Sequence, residues 1–440
     1  MAVGKTADFP YLCIDFQQPP TRAIKLTGKI NQMNKYILNL LLLLTTLVLS
    51  SASSCSHDDD GPGPDSPDAP PATVSRTVLV YMVADNSLGT NFGSDDEDIT
   101  EMLEGVKGGA LNGGRLIVYH NRPKTAQGNP PQMLEITEQG LKVLKTYPDD
   151  ASIYSVDPAR IREVMADMKR LAPAEDYGLV LWSHANGWLG PTSPSDDRYR
   201  AFGDDRGYHI TVQTLAKTLE GEQFSFIYFD CCLMGCVEVI YEMRGLTPCI
   251  VASPTELSID GMPYDRNVPE MFLAEPDVVQ MAENTFKYYE DDVNGYDEGC
   301  QIAVYDTRTL DALAAATRDI LVNVKEFPEM VDYIQRYNRP YEATYIYDMD
   351  NYMELIARVD YPEQLEAWRK AWRNTVVYGA ATRNGIGGLY FDRYCGLGVM
   401  AIDSHAEATW RGYNTLQWWK DVASVAPVFK AADPKGIVIN

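Results

Sequence analysis

The most constraining stretch of the chain is FSFIYFDCCLMGCVEVIYEM, residues 224–243, because its hydrophobic period changes part-way along. Phe226, Ile227, Tyr228 and Phe229 form a short aromatic and β-branched run, which predicts a buried strand. Met234, Val237, Ile240 and Tyr241 then recur at three- and four-residue spacing, as one face of a helix requires. Asp230, Cys231 and Cys232 therefore fall where a strand gives way to a helix. In an open α/β sheet, that end of a strand faces the crevice where ligands bind. A cysteine just ahead of a helix N-terminus also gains thiolate character from the dipole and the unpaired N–H groups.

A second stretch has the same form. Tyr177 to Trp182 is an apolar strand that runs into Ser183-His184-Ala185-Asn186-Gly187-Trp188, so His184 also sits at a strand end. A histidine and a cysteine on two parallel strands meet across one crevice, and that pair is the equipment of acyl transfer. Side chains two apart on a strand share a face, so Asp230 and Cys232 point together and Cys231 points away. His120 is the competing histidine at a strand end, whereas His209 and His405 lack such a setting and read as satisfied surface or core residues. A zinc site from Cys231, Cys232 and Cys236 lacks a second CxxC or HxxxH group, so no metal site is expected there.

His-Ala-x-Gly-Trp after one strand and Phe-Asp-x-Cys-Leu-Met-Gly-x-x-Glu-Val after the next resemble the clostripain family of cysteine peptidases, relatives of caspases, legumains and gingipains. By motif the resemblance covers Val78 to Tyr264. It implies a three-layer α/β/α caspase-like sandwich around a mostly parallel sheet. It also implies a cysteine endopeptidase that cleaves after Arg or Lys, with Cys232 as nucleophile, because the family pattern puts it two residues after the aspartate, and His184 as base. The backbone N–H groups of Ala185 and Cys232 would form the oxyanion hole. Relatives have glycine where Ala185 stands, and alanine disfavours positive φ. That departure motivates the rival reading, an inactive caspase-like surface lipoprotein that binds peptides or proteins.

Asp230 matches the family's specificity aspartate, whose carboxylate selects Arg or Lys; its plainer reading is a helix cap. Asp260, before Gly261, is a second pocket carboxylate by the same resemblance, or else a turn residue. The polar loop 190–206 holds Arg198 and Arg200, the candidates for self-cleavage. No cofactor is required; calcium enters only because some relatives need it, with Asp196-Asp197 or Asp204-Asp205 as oxygen donors.

The N-terminus carries an address. Met33 to Lys35 begins a charged start, and the apolar run from Ile37 to Leu49 is too short to span a bilayer. It ends in Ser50-Ser51-Ala52-Ser53-Ser54-Cys55, which reads as a lipoprotein signal cleaved before a lipidated Cys55. The acidic run Asp58 to Asp60 resembles a surface-export signal, so the expected location is the outer membrane, exposed at the surface. The leader carries five Lys/Arg against two Asp, which takes the net charge from −24 to −27 on the remainder. So acidic a chain excludes nucleic acid as a partner and suits peptides with basic residues. The remaining six cysteines read as buried thiols, not a disulfide framework.

The expected organisation is residues 1–54 as upstream extension and signal peptide, 55–75 as a flexible acidic tether, 76–327 as the caspase-like catalytic domain, and 328–440 as an α-rich C-terminal extension packed on it. Strands alternating with helices imply parallel order and right-handed crossovers. A capping box, Ser94 with Glu97, is expected to open a helix over 95–106; a helix is expected over 363–378 and a last one over 413–422.

Overall fold

The strand from Val74, VSRTVLVYMV, ends in an unbroken apolar run from Val78 to Val83, which suits a strand buried on both faces. The computed structural model, which describes residues 71–124, 128–188, 201–293, 299–326, 334–338, 346–401 and 412–431, places this strand near the middle of a sheet. In chain order the first twelve strands are β1 (Val74–Val83), β2 (Arg115–Asn121), β3 (Gln132–Thr137), β4 (Gly140–Thr146), β5 (Ala174–Trp182), β6 (Phe202–Asp205), β7 (Tyr208–Ile210), β8 (Phe226–Asp230), β9 (Cys249–Ala252), β10 (Gln301–Asp306), β11 (Ile346–Asp348) and β12 (Val376–Ala381). Nine of them form one sheet in the order β12-β10-β9-β8-β5-β1-β2-β3-β4. The central five, β2-β1-β5-β8-β9, are parallel, and antiparallel pairs extend both flanks.

Alternation along β1 divides the core into two layers. Leu79, Tyr81 and Val83 pack on one face with the helices Pro158–Leu171, Val212–Thr218 and Val237–Met243. Val78, Val80 and Met82 pack on the other with Ser94–Gly105, Tyr264–Met271 and Val278–Lys287. The result is the expected three-layer α/β/α sandwich. No described helix is long and apolar enough to cross a membrane.

Several local expectations are corrected. The helix at 95–106 begins one residue earlier, with Gly93 at φ 72° as its N-cap and no side-chain cap bond; Asp95, Asp96 and Glu97 face the dipole instead. The helix expected over 363–378 stops at Thr375, and Val376–Ala381 turns into β12, antiparallel to β10 at the sheet edge. Two adjacent β-branched residues, Val376 and Val377, favour that change, which helical spacing alone does not register. The helix expected over 413–422 is shorter, Gln417–Asp421, and a further helix, Pro427–Ala431, follows it. The expected loop 190–206 is partly regular: Phe202, fully buried, anchors β6 in a hairpin with β7.

Candidate active site

The site lies beyond the carboxyl ends of β1, β5 and β8, three neighbours in the sheet. The chain leaves β1 toward β2 on one side and returns to β5 on the other, the topology at which open sheets form a crevice. Register then fixes the rest. Trp182 of β5 pairs with Asp230 of β8, so His184 and Cys232 each lie two residues past paired neighbours. Both side chains line one cleft of about 250 Å³ with Asp230, Cys231, Ser183, Leu257 and Ile386.

Cys232 does not stand at a helix N-terminus, contrary to what the change of period predicts. The helix begins at Val237, and residues 231–236 form a loop ahead of it. A dipole acts mainly within the first turn, so it contributes little at Cys232. The loop is fixed by other means. Leu233 holds φ 65°, rare for a leucine, and its N–H donates to Thr255 O at 2.8 Å. Gly235 N–H donates to Ser253 O at 2.7 Å. Leu257 N–H points at Cys232 Sγ, 3.4 Å away. Cys231 is buried in the core, and burial, then Cys232 and Asp230, pushes its thiol well above the ordinary range.

His184 is half-buried, and its Nε2 lies 2.8 Å from Ser87 Oγ. Burial holds its pKa below the ordinary imidazole value, with Asp204 opposing and His209 reinforcing. The imidazole is thus unprotonated at neutral pH, with a lone pair free to accept a proton. Ala185 pairs with Phe202 through its neighbours: Gly203 N–H donates to His184 O and Asn186 N–H to Ala201 O, each at 3.0 Å. Neither bond uses the Ala185 N–H, which points away from that ladder. Among the described residues the only non-glycines at positive φ are Asn112, Arg206 and Leu233. Alanine is therefore unstrained at 185.

Asp230 is buried at the cleft, accepting from Met262 N–H at 3.1 Å and from the Tyr264 hydroxyl at 3.0 Å. It does not cap the following helix, since Cys236 is that N-cap. Further carboxylates gather behind it. Asp98, buried, accepts from Trp182 Nε1 at 2.5 Å, and Glu101 accepts from Tyr264 N–H at 2.9 Å. Burial raises all three: Asp98 is pushed well up, with Asp230 and Glu101 adding to the effect, and Glu101 reaches about 7, with Asp265, Asp230 and Asp260 adding and the Tyr264 N–H opposing. No Lys or Arg lines the cleft among the described residues. Asp98 and Glu101 were not singled out by sequence, although Asp98 shares a helix face with Met102 and is a charge at a core position.

Other expected residues stand apart. Asp260 does not line the cleft; it is half-buried, bonded by the Ser258 hydroxyl at 3.2 Å, and acts on Glu101 only through its field. His120 is buried with Nε2 2.7 Å from Asp95 Oδ2, away from the cleft. All six described cysteines are outside disulfides. Asp205 is buried and accepts from Ser155 N–H at 2.6 Å and from Arg206 at 2.8 Å, while Asp204 accepts from Gly207 N–H at 2.7 Å, so this pair does not fit a calcium cluster. Cys55, Asp196, Asp197, Arg198 and Arg200 lie outside the described residues.

The family model of the clostripain family, peptidase C11, matches residues 80–385. The chain belongs to the clostripain family. As a member it is a cysteine peptidase, and two solved C11 structures share its fold closely. One is an inactive zymogen C11 protease from Parabacteroides distasonis, 30% identical, covering 80% of this chain and 99% of that one, with a TM-score of 0.67. The other is a secreted C11 cysteine protease from Bacteroides thetaiotaomicron in complex with an irreversible peptide inhibitor, 28% identical, covering 79% and 98%, also with a TM-score of 0.67. No curated protein matches the sequence. In clostripain terms, the cleft lined by Cys232 and His184 is the place to look for chemistry.

Proposed function

We propose that this clostripain-family peptidase cleaves after Arg, and secondarily Lys, through a Cys232–His184 dyad. Neutral His184 takes the Cys232 proton, the sulfur attacks the scissile carbonyl, and His184 returns the proton to the departing amine; water then hydrolyses the thioester. Ala185 N–H and Cys232 N–H meet the oxyanion, where one donor is worth about 10²–10³ in rate. The observation that carries the specificity is Asp230: a buried carboxylate at the cleft, backed by Asp98 and Glu101, with no Lys or Arg among the described residues lining the cleft to neutralise it. A guanidinium supplies the missing charge and binds a carboxylate bidentately. Asp260 contributes through its field at longer range. Ala185 at an ordinary φ supports an active enzyme over the inactive peptide-binding alternative.

Purified protein assayed on Arg versus neutral dipeptide amides should turn over the Arg substrate far faster, and Cys232→Ala should turn over neither. Equal rates on both would overturn the basic preference. Intact mass of the same two preparations tests self-processing after Arg198 or Arg200, which only the active protein should show. Anchoring through a lipidated Cys55 predicts that Cys55→Ala leaves the membrane fraction; unchanged retention would refute it. A calcium requirement, which some relatives show, predicts that chelation lowers turnover and that added calcium restores it; unchanged turnover would exclude it.

A further inference from the structure

The segment after β1 contributes a residue that the motifs do not contain. Asn86, buried, fastens it: its side-chain amide donates to Val83 O and to Asp204 O, each at 2.8 Å, and its Oδ1 accepts from Leu88 N–H at 2.9 Å. Ser183 completes the tie, donating to Val83 O at 2.9 Å and accepting from Asp204 N–H at 3.1 Å. Three chain segments, following β1, preceding His184 and within β6, are thereby locked together beside the cleft. The next residue along from Asn86 is Ser87, whose Oγ lies 2.8 Å from His184 Nε2.

We propose that Ser87 is a positioning residue for His184, holding the Nε2–H tautomer so that Nδ1 is the nitrogen that exchanges protons during catalysis. The inference rests on His184 being the base. A neutral imidazole carries one N–H, and the nitrogen that bears it cannot accept a proton. With Nε2–H donated to the Ser87 oxygen, Nδ1 keeps its lone pair. The ring is also stopped from rotating about its side-chain bonds, and the carboxylate that orients the base in many triads is here replaced by a neutral hydroxyl. A hydroxyl orients without adding charge, which suits a histidine that burial keeps neutral. When the proton arrives, the same bond becomes charge-assisted and strengthens.

Ser87→Ala should lower kcat by about 10–100-fold, the scale of losses from misplacing a catalytic group, with KM changed by no more than about twofold. Losing an acceptor for the imidazolium disfavours the charged ring, so the acid limb of the kcat profile should move to lower pH. Ser87→Thr keeps the hydroxyl and should recover most of both, with unchanged circular dichroism and thermal midpoint in each variant. Unaltered kcat and pH profile in Ser87→Ala, alongside an inactive His184→Ala, would overturn this inference while leaving the dyad intact. So would equal losses in both Ser87 variants with no movement of the acid limb, the mark of a merely structural residue. Turnover persisting in His184→Ala would sink the dyad and the inference together.

Discussion

Tyr264 holds Asp230 from behind: its hydroxyl donates to Oδ2 at 3.0 Å, while Met262 N–H donates to Oδ1 at 3.1 Å. Two donors keep the carboxylate aimed at the cleft without neutralising it. Asp230→Asn preserves its volume and removes its charge. The expected result is a fall of about 10²-fold or more in kcat/KM on Arg amides, as when one partner of a buried charge pair is lost, with a folded protein by thermal melt. Burial raises the Asp230 pKa, so protonation competes with substrate near neutrality. For the wild type, kcat/KM on Arg amides should therefore decline as pH drops through neutrality, and Asp230→Asn should flatten that decline.

The two adjacent cysteines should behave differently. Cys232 is half-buried at the cleft, whereas Cys231 is buried with its thiol pushed up by burial. Cys232→Ala should abolish both turnover and labelling by an Arg-directed acyloxymethyl ketone. Cys231→Ala should retain labelling at Cys232 and lose at most a few kcal/mol of stability, about the cost of removing a small buried group. Mass spectrometry of the labelled peptide decides the matter; a tag on Cys231 would contradict the assignment.

Another buried acid, on the opposite face of the sheet from Asp98, gives stability a pH dependence. Glu238 is fully buried, accepts from Met400 N–H at 2.9 Å and from the Tyr413 hydroxyl at 3.0 Å, and burial pushes its pKa from 4.5 up to about 7. The folded state therefore binds this proton more tightly than the unfolded chain does. Its stabilising contribution is complete below about pH 4.5 and is lost as pH rises through about 7. Glu238→Gln should remove that share of the slope in denaturant midpoints measured from about pH 5 to 8; an unchanged slope would exclude Glu238 as its source.

The loop that carries Cys232 tolerates little. A Cβ on Gly235 would come within 2.5 Å of both Pro254 N and the Tyr305 hydroxyl oxygen, and a backbone atom cannot swing aside. Gly235→Ala should cost about 1–3 kcal/mol, as overpacking typically does, and displace the loop enough to lower kcat more than KM is raised. Thermal melts and steady-state kinetics read the two effects separately; wild-type values in both would show that the neighbours yield.

Much of the site was legible in the sequence because it is built from adjacent strand ends. The apolar runs 177–182 and 226–229 mark strands by period, and the residues just past each run lie at one rim of a parallel sheet, so Cys232, His184 and Asp230 come from local pattern plus topology. Ser87, Asp98, Glu101 and Ile386 carry no such mark. Each belongs to the site only through packing between segments far apart in the chain, and a helix such as Ser94–Gly105 reads as an ordinary amphipathic one until its buried face meets Asp230. The start of the helix after Cys232 was misplaced for a related reason: Met234 repeats at helical spacing, yet Leu233 at φ 65° is imposed by bonds to the segment after β9.

By itself, the sequence determined the central strands 177–182 and 226–229, which of their ends bear sulfur and imidazole, and hence the class of chemistry, because hydrophobic period and motif are local properties. Only the tertiary structure decided that His184 is braced by Ser87, that Asp230 is backed by other acids and that Ala185 needs no glycine geometry. Those are facts about distance and burial, which arise when separated segments exclude water from one another.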